Sequence, residues 1–275
     1  MTGPAEGSSA ASTPGGVAGQ RRGALEVLGM ALGKAARDRA GAGNWTADWR
    51  AREIIVLVLG AIALLATRAW ALGLPEIRRL DLDALVAARA GIQIAYYAAS
   101  LGLLAAVARW KNAGFGATYG LVRFRVFSSV GMLVAMLIGV RLFSILYGAA
   151  TQALGWFPPA AADPAALFGP GLAGFVLACL TVVVLGPFVE EVVFRGAILG
   201  YLDRVMDRRA AIALSAVLFA SSHMTLWTFV PLVVLGSACG WLVTSRGSVW
   251  PAVILHGLYN AVAIVATFYV AGGAS

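Results

Sequence analysis

Two adjacent carboxylates in an apolar run, Glu190 and Glu191, are the side chains of this sequence best placed to do chemistry. Phe188-Val189 precede them, Val192-Val193-Phe194 follow, and Arg195 comes one helical turn later. A helix that merely crosses a bilayer gains nothing from such a cluster of charge, and ionisable groups inside a membrane mark function by default. Neighbouring helical residues point about 100° apart, so the two carboxylates face different ways. Glu191 and Arg195 are four apart with the acid first, the favoured arrangement of an ion pair. Glu190 has no sequence-near partner and is the carboxylate left to serve as a general base.

Both histidines of the chain lie downstream. His223 ends Phe219-Ala220-Ser221-Ser222-His223, and His256 opens His256-Gly257-Leu258-Tyr259-Asn260. His256 and Asn260 share one helical face. An imidazole above an amide offers two donors for the carbonyl oxygen of a scissile amide as it becomes an oxyanion. Two histidines and a glutamate, here His223, His256 and Glu190, are also the ligand count of a catalytic zinc with an open position. A His-Glu-x-x-His helix, the strongest sequence sign of a zinc peptidase, is absent. The expectation is therefore no obligatory cofactor, with Zn2+ as the alternative.

These groups sit on separate helices, which must pack closely for them to meet. Small residues permit that, and Gly196/Gly200, Gly236/Gly240 and Gly257 supply them, the first two pairs at GxxxG spacing. The composition says what solvent surrounds the helices. Of 275 residues 60% are hydrophobic and 12% charged, with a mean hydropathy of +0.83, whereas a soluble domain carries about 25% charged residues. The expected fold class is all-α, a polytopic transmembrane helix bundle of about seven to eight spans with a disordered N-terminal segment. Apolar runs fall at about 54–74, 90–108, 126–148, 171–186, 187–201, 210–226, 231–244 and 249–271. Gly186-Pro187 offers a break between the fourth and fifth, since proline removes a helical hydrogen bond; one kinked helix or two are both open readings. Pro231 and Pro251 suit first-turn positions of the helices they open. Arg141 lies deep in the third run, is costly there, and has no evident partner in the sequence.

The expected division is 1–52 as a disordered, basic N-terminal segment, 53–112 as N-terminal transmembrane helices and 113–271 as a peptidase core. Within the first part, 24–40 could lie as a basic helix on the membrane surface. Arg21-Arg22 lacks the apolar core of a twin-arginine signal. The net charge of +8 is carried mostly by connections between apolar runs. It reads as topology and contact with membrane lipids, not as a nucleic-acid surface. Basic residues crowd the N-terminal segment, 109–125 and 203–209, and are missing from 151–170, which favours a cytoplasmic N-terminus in a multi-pass protein. Cys179 and Cys239, both in apolar stretches, read as small buried hydrophobes.

In order, Glu190-Glu191-x-x-x-Arg195, Phe219-x-x-x-His223 and His256-x-x-x-Asn260 resemble the three signatures of the CAAX prenyl endopeptidase and bacteriocin-processing (CPBP) family of intramembrane proteases. The resemblance covers about residues 115–265 and extends to Pro187, Phe194-Arg195-Gly196 and the Gly114–Arg125 stretch. It implies that Glu190 activates the attacking water with the aid of His223, and that His256 and Asn260 stabilise the oxyanion. It implies that Glu191 and Arg195 hold the architecture and that Phe219 packs beside the site. The implied activity is hydrolysis of a peptide bond in a membrane-bound or lipid-modified, possibly prenylated, protein or peptide. A non-catalytic scaffold or immunity protein is a competing reading, and a proton-coupled carrier is another. The absence of two similar halves speaks against the carrier.

Overall fold

The computed structural model describes residues 48–157, 167–169 and 171–271. The surface helix expected over 24–40 and most of the 1–52 segment lie outside these residues. Seven principal helices follow one another: α1 Ala51–Gly73, α2 Leu82–Trp110, α3 Phe127–Ala153, α4 Gly171–Val205, α5 Arg208–Ser222, α6 Leu226–Arg246 and α7 Trp250–Val265, the last running on to Ala271. No strand occurs among the described residues.

Six of the seven helices are long and apolar enough to cross a membrane. The exception is α5, whose 15 residues make about 22 Å of helix, against a hydrocarbon core of about 30 Å. The chain is an integral membrane protein, and its surface shows it. Ile62, Ile138 and Ile145 are all more than half exposed, positions that water would penalise and lipid does not.

One open point about proline is settled and one expectation is corrected. The chain does not break at Gly186-Pro187. The turn before it widens, so that Cys179–Leu185 is π-helical and the Gly186 N–H reaches back five residues to the Thr181 carbonyl. A second π segment, Val192–Leu199, follows the glutamate pair. The two expected spans are thus one helical run, in which wider turns absorb the proline, and π turns of this kind are frequent at functional sites. Pro231 lies inside α6, because that helix already begins at Leu226. Pro251 does stand in the first turn of α7.

Contacts across the bundle define two ends. At one, Lys111 pairs with Glu53, Arg204 with Asp48, and the Ser248 hydroxyl donates to the Val122 carbonyl. At the other, Trp227 meets both Tyr147 and Trp156, and Phe175 meets Phe268. The first end gathers 109–125 and 203–209, the connections that the charge pattern groups together. Two apolar clusters fill the interior. One, built mainly on α5–α7, centres on Phe219, Leu235, Leu242 and Leu255. The other gathers Trp49, Leu57, Leu104 and Tyr119. Tyr201 and Val193 of α4 pack against both. The helix with the glutamates is therefore the shared wall. Tyr119, in the short helix Phe115–Tyr119, donates its hydroxyl to the Leu104 carbonyl, and burial pushes its phenol up from the ordinary value.

Candidate active site

Behind the site lies a closed network. Glu191 and Arg195 are completely buried and pair at 3.0 Å. The Arg195 guanidinium donates on to the Gly236 carbonyl of α6 at 3.0 Å and stands over the Phe219 ring of α5. Glu191 Oε1 also lies 2.9 Å from His256 Nδ1. Four helices are thus tied through one carboxylate and one guanidinium. Gly236 makes this possible: a Cβ there would stand 3.0 Å from the Ala216 backbone and 3.1 Å from the Arg195 guanidinium. Phe219 packs edge-on against both His223 and His256. The i, i+4 pair expected from the sequence is present. Its hold on His256 adds a function that the local spacing does not show.

In front of the network is a cavity of about 440 Å³. Glu190, His223, His256 and Asn260 all line it, with Tyr97, Tyr147, Trp227 and Tyr259 among their neighbours. Glu190 and His223 are each about one-third exposed there. Glu190 Oε2 stands 3.9 Å from His223 Nε2 and 4.0 Å from His256 Nε2. The tautomers follow from the other ring nitrogens. His223 Nδ1 lies 3.0 Å from the Phe219 carbonyl, and His256 Nδ1 faces the Glu191 carboxylate. Both partners only accept, so both Nδ1 atoms carry protons. In the neutral rings each Nε2 then presents a lone pair towards Glu190. Three acceptors converge on one small space, which suits a donor with two protons or a cation.

Asn260 is held by the irregularity of α4. Its amide donates to the Val182 carbonyl at 2.9 Å. That carbonyl lies five residues before Pro187, whose missing N–H leaves the helical ladder short of a donor. Gly257 brings α7 close at the same place, since a Cβ there would come within 2.9 Å of the Val183 carbonyl. One Asn260 N–H is spent on this contact and one remains. Arg141 also finds its partner on α7. Its guanidinium stacks 3.8 Å above the Tyr259 ring, and Tyr259 shares a 3.1 Å hydrogen bond with Ser144. Ser144 already donates to the Val140 carbonyl, so the Tyr259 hydroxyl is the donor between them.

The structure therefore gathers Glu190, Glu191, Arg195, Phe219, His223, His256 and Asn260 into one cluster. It adds lining residues that the motifs do not reach. Tyr97 is the most telling, because the sequence places it in a helix with no motif. Gly186 leaves room for it: a Cβ there would lie 3.0 Å from the Tyr97 hydroxyl. Neither cysteine lines the cavity.

The zinc question can be put to these atoms. Ligands about 2.0–2.2 Å from a tetrahedral zinc sit roughly 3.3–3.6 Å apart. The Glu190–histidine separations are a few tenths of an ångström wider. The donor types suit the ion, but among the described residues no three His, Cys, Asp or Glu side chains stand close enough together to hold one.

A membrane helix bundle with carboxylate, imidazole and amide groups converging on an internal cavity has the layout of an intramembrane hydrolase. Comparison with known proteins agrees. Residues 172–262 match the family model described as type II CAAX prenyl endopeptidase Rce1-like, which supports the CAAX/CPBP family and a CAAX-type intramembrane protease. No curated protein and no solved structure matches the chain.

Proposed function

We propose that this protein hydrolyses a peptide bond of a membrane-associated, possibly lipid-modified, protein or peptide by a glutamate-activated water. The observation that carries the reading is the convergence of Glu190 Oε2 with two histidine Nε2 atoms at about 4 Å, on the wall of a cavity. A water in that space gives one proton to Glu190 and the other to His223 as hydrogen bonds. Its lone pair is then turned outward to a scissile carbonyl. Glu190 takes the proton as the water attacks and returns it to the leaving amine, the ordinary cycle of a general acid–base residue.

The free N–H of Asn260 meets the developing oxyanion, and the Val182 contact fixes its direction beforehand, which is where such groups gain their effect. His256 can join it as a donor only with both nitrogens protonated. The Glu191 carboxylate at 2.9 Å supplies the counter-charge for that form. Arg195 holds Glu191 in place for the purpose. Were zinc bound, Glu190, His223 and His256 would hold it, and the ion would supply Lewis-acid activation of water.

The orientation that the charge pattern favours puts the Lys111–Arg204 end in the cytoplasm. The cavity, lined by Tyr147 and Trp227, then lies towards the opposite end.

The test is purified full-length protein in detergent with a quenched peptide library, in lipid-modified and unmodified forms, with and without a chelator. Glu190→Gln should lower turnover by about 10²–10⁴-fold without shifting thermal unfolding. Turnover that survives this change would sink the mechanism. Loss of wild-type turnover on chelation, restored by zinc, would establish the metal-bound form. A folded protein that cleaves nothing favours the non-catalytic scaffold.

A further inference from the structure

Each peptide bond hydrolysed consumes one water, and the proposed site must receive it inside a membrane bundle. The catalytic cavity is the space that substrate itself takes up, and Tyr147, Trp227, Pro231 and Leu232 give it a largely apolar wall. While a peptide is seated there, water must reach Glu190 from another side. A second cavity, of about 430 Å³, lies on such a side. Tyr97 and Val182 line both cavities and form the partition between them. The second cavity also takes in Leu167 and Phe168 of the connection before α4, so it extends towards that end of the bundle.

Its polar groups run in file towards Glu190. Arg68 stands about 26 Å along α1 from Ala51, where an arginine ordinarily extends out to the lipid headgroups. Here its Nε donates to Gln93 Oε1 at 2.7 Å. Gln93 and Tyr97 are four apart and share one face of α2. Tyr97 ends the file, and Gly186 is the notch that receives it. A Cβ at Gly186 would stand 3.0 Å from the Tyr97 hydroxyl and 3.9 Å from Glu190 Oε1. Oε2 is the oxygen that meets the histidines, so Oε1 is the one turned to the partition. Polar side chains at membrane depth face protein or a water-filled space. A buried water needs two to four polar partners and a share of about 30 Å³, and this cavity supplies both for several waters.

We propose that the second cavity is the water inlet of the catalytic site, with Tyr97 as the gate through which water passes to Glu190 while substrate fills the cavity in front. The inference rests on the peptidase reading and deepens it. Tyr97 is then a positioning residue. Its hydroxyl holds the incoming water beside Glu190 Oε1, from where the water moves round the carboxylate to the space between Oε2 and the histidines. Proton transfer stays with Glu190. A lipid chain is a poor occupant of the inlet, since it would leave the polar file unsolvated.

The experiment reads hydration and turnover separately. Full-length protein carrying Gln93→Cys and Cys179→Ala is placed in nanodiscs and treated with trimethylammonium-ethyl methanethiosulfonate, which labels thiols that water reaches. Ile94→Cys in the same background is the lipid-facing control, since Ile94 is 46% exposed and lines neither cavity. The Gln93→Cys thiol should be labelled and the Ile94→Cys thiol spared. The label at Gln93→Cys should lower kcat by about tenfold or more, as for a reactant kept from its place, and leave KM unchanged. The smaller group left by methyl methanethiosulfonate should lower kcat less, and reduction of either should restore it. A Gln93→Cys thiol that stays unlabelled overturns the proposal, because the cavity is then dry. So does labelling that leaves kcat unchanged, which puts the water route elsewhere. Labelling that raises KM alone overturns it too, and makes the cavity a substrate subsite. A labelled thiol in a protein whose wild type cleaves no peptide keeps the water-filled cavity and removes the peptidase reading. Wild type that cleaves while the Gln93→Cys thiol stays dry does the reverse.

Discussion

On the Arg195 side of α4, Glu191, Arg195 and Phe219 have no exposed surface and His256 almost none. On the Tyr97 side, one residue earlier in sequence, Glu190 is one-third open to a cavity, and among the described residues its nearest ion-pair partners stand 3.9 and 4.0 Å away. Two carboxylates joined by one peptide bond thus occupy opposite regimes. The first is committed to holding four helices in register. The second is left underused in the resting structure, which is the condition of a group that must accept a proton from something not yet there. The comparison teaches that a buried charge network and a reactive charge need different surroundings, and that a helix turn of about 100° per residue provides both at adjacent positions.

The sharpest way to break the contrast is Glu191→Ala. It leaves Arg195 charged and unpaired in the interior and frees His256, so stability should fall by about 3–5 kcal/mol and activity with it. Thermal unfolding in detergent would show the loss, whereas Glu190→Gln should unfold like the wild type. If both variants unfold alike, the division of labour between the two glutamates is wrong. Asn260→Ala comes next. Turnover should fall by about 10²–10³-fold, as for loss of one oxyanion donor, with a small change in stability, since Asn260 is only partly buried on the cavity wall. Single-turnover kinetics would read it, and an effect confined to substrate affinity would contradict the assignment. The smallest effect is expected for Gly257→Ala. The added methyl meets the Val183 carbonyl, and overpacking of this kind costs about 1–3 kcal/mol. Because the neighbouring Val182 carbonyl orients Asn260, turnover should drop further than stability alone accounts for.

Much of the site was legible in the sequence, and the reason is local. Glu190, Glu191 and Arg195 lie within one and a half turns, and His256 and Asn260 within one. Helical geometry and charge scarcity are enough to single them out. The helical class was legible too, because apolar runs of membrane length admit few alternatives. The parts that stayed hidden depend on pairs distant in sequence. The Glu191–His256 contact joins positions 65 residues apart, and Asn260 finds Val182 across 78. Tyr97 and Arg68 reach the cavities from helices with no motif. The partner of Arg141 proved to be an aromatic face, which no charge count can reveal. The continuity of α4 through Pro187 stayed open in the sequence because a proline rule presumes α geometry, and wider turns escape it.

One contact at the far end of the molecule bears on how such a bundle is made. Trp49 donates its indole N–H to the Gly196 carbonyl, 147 residues later in the chain. A ribosome adding about 5–20 residues per second needs roughly 7–30 s to synthesise that interval. The opening of the first span therefore enters the membrane without its eventual anchor and must wait there until the glutamate helix arrives. During biogenesis the N-terminal pair of helices is a holding stage, and the catalytic half, when inserted, is what locks it.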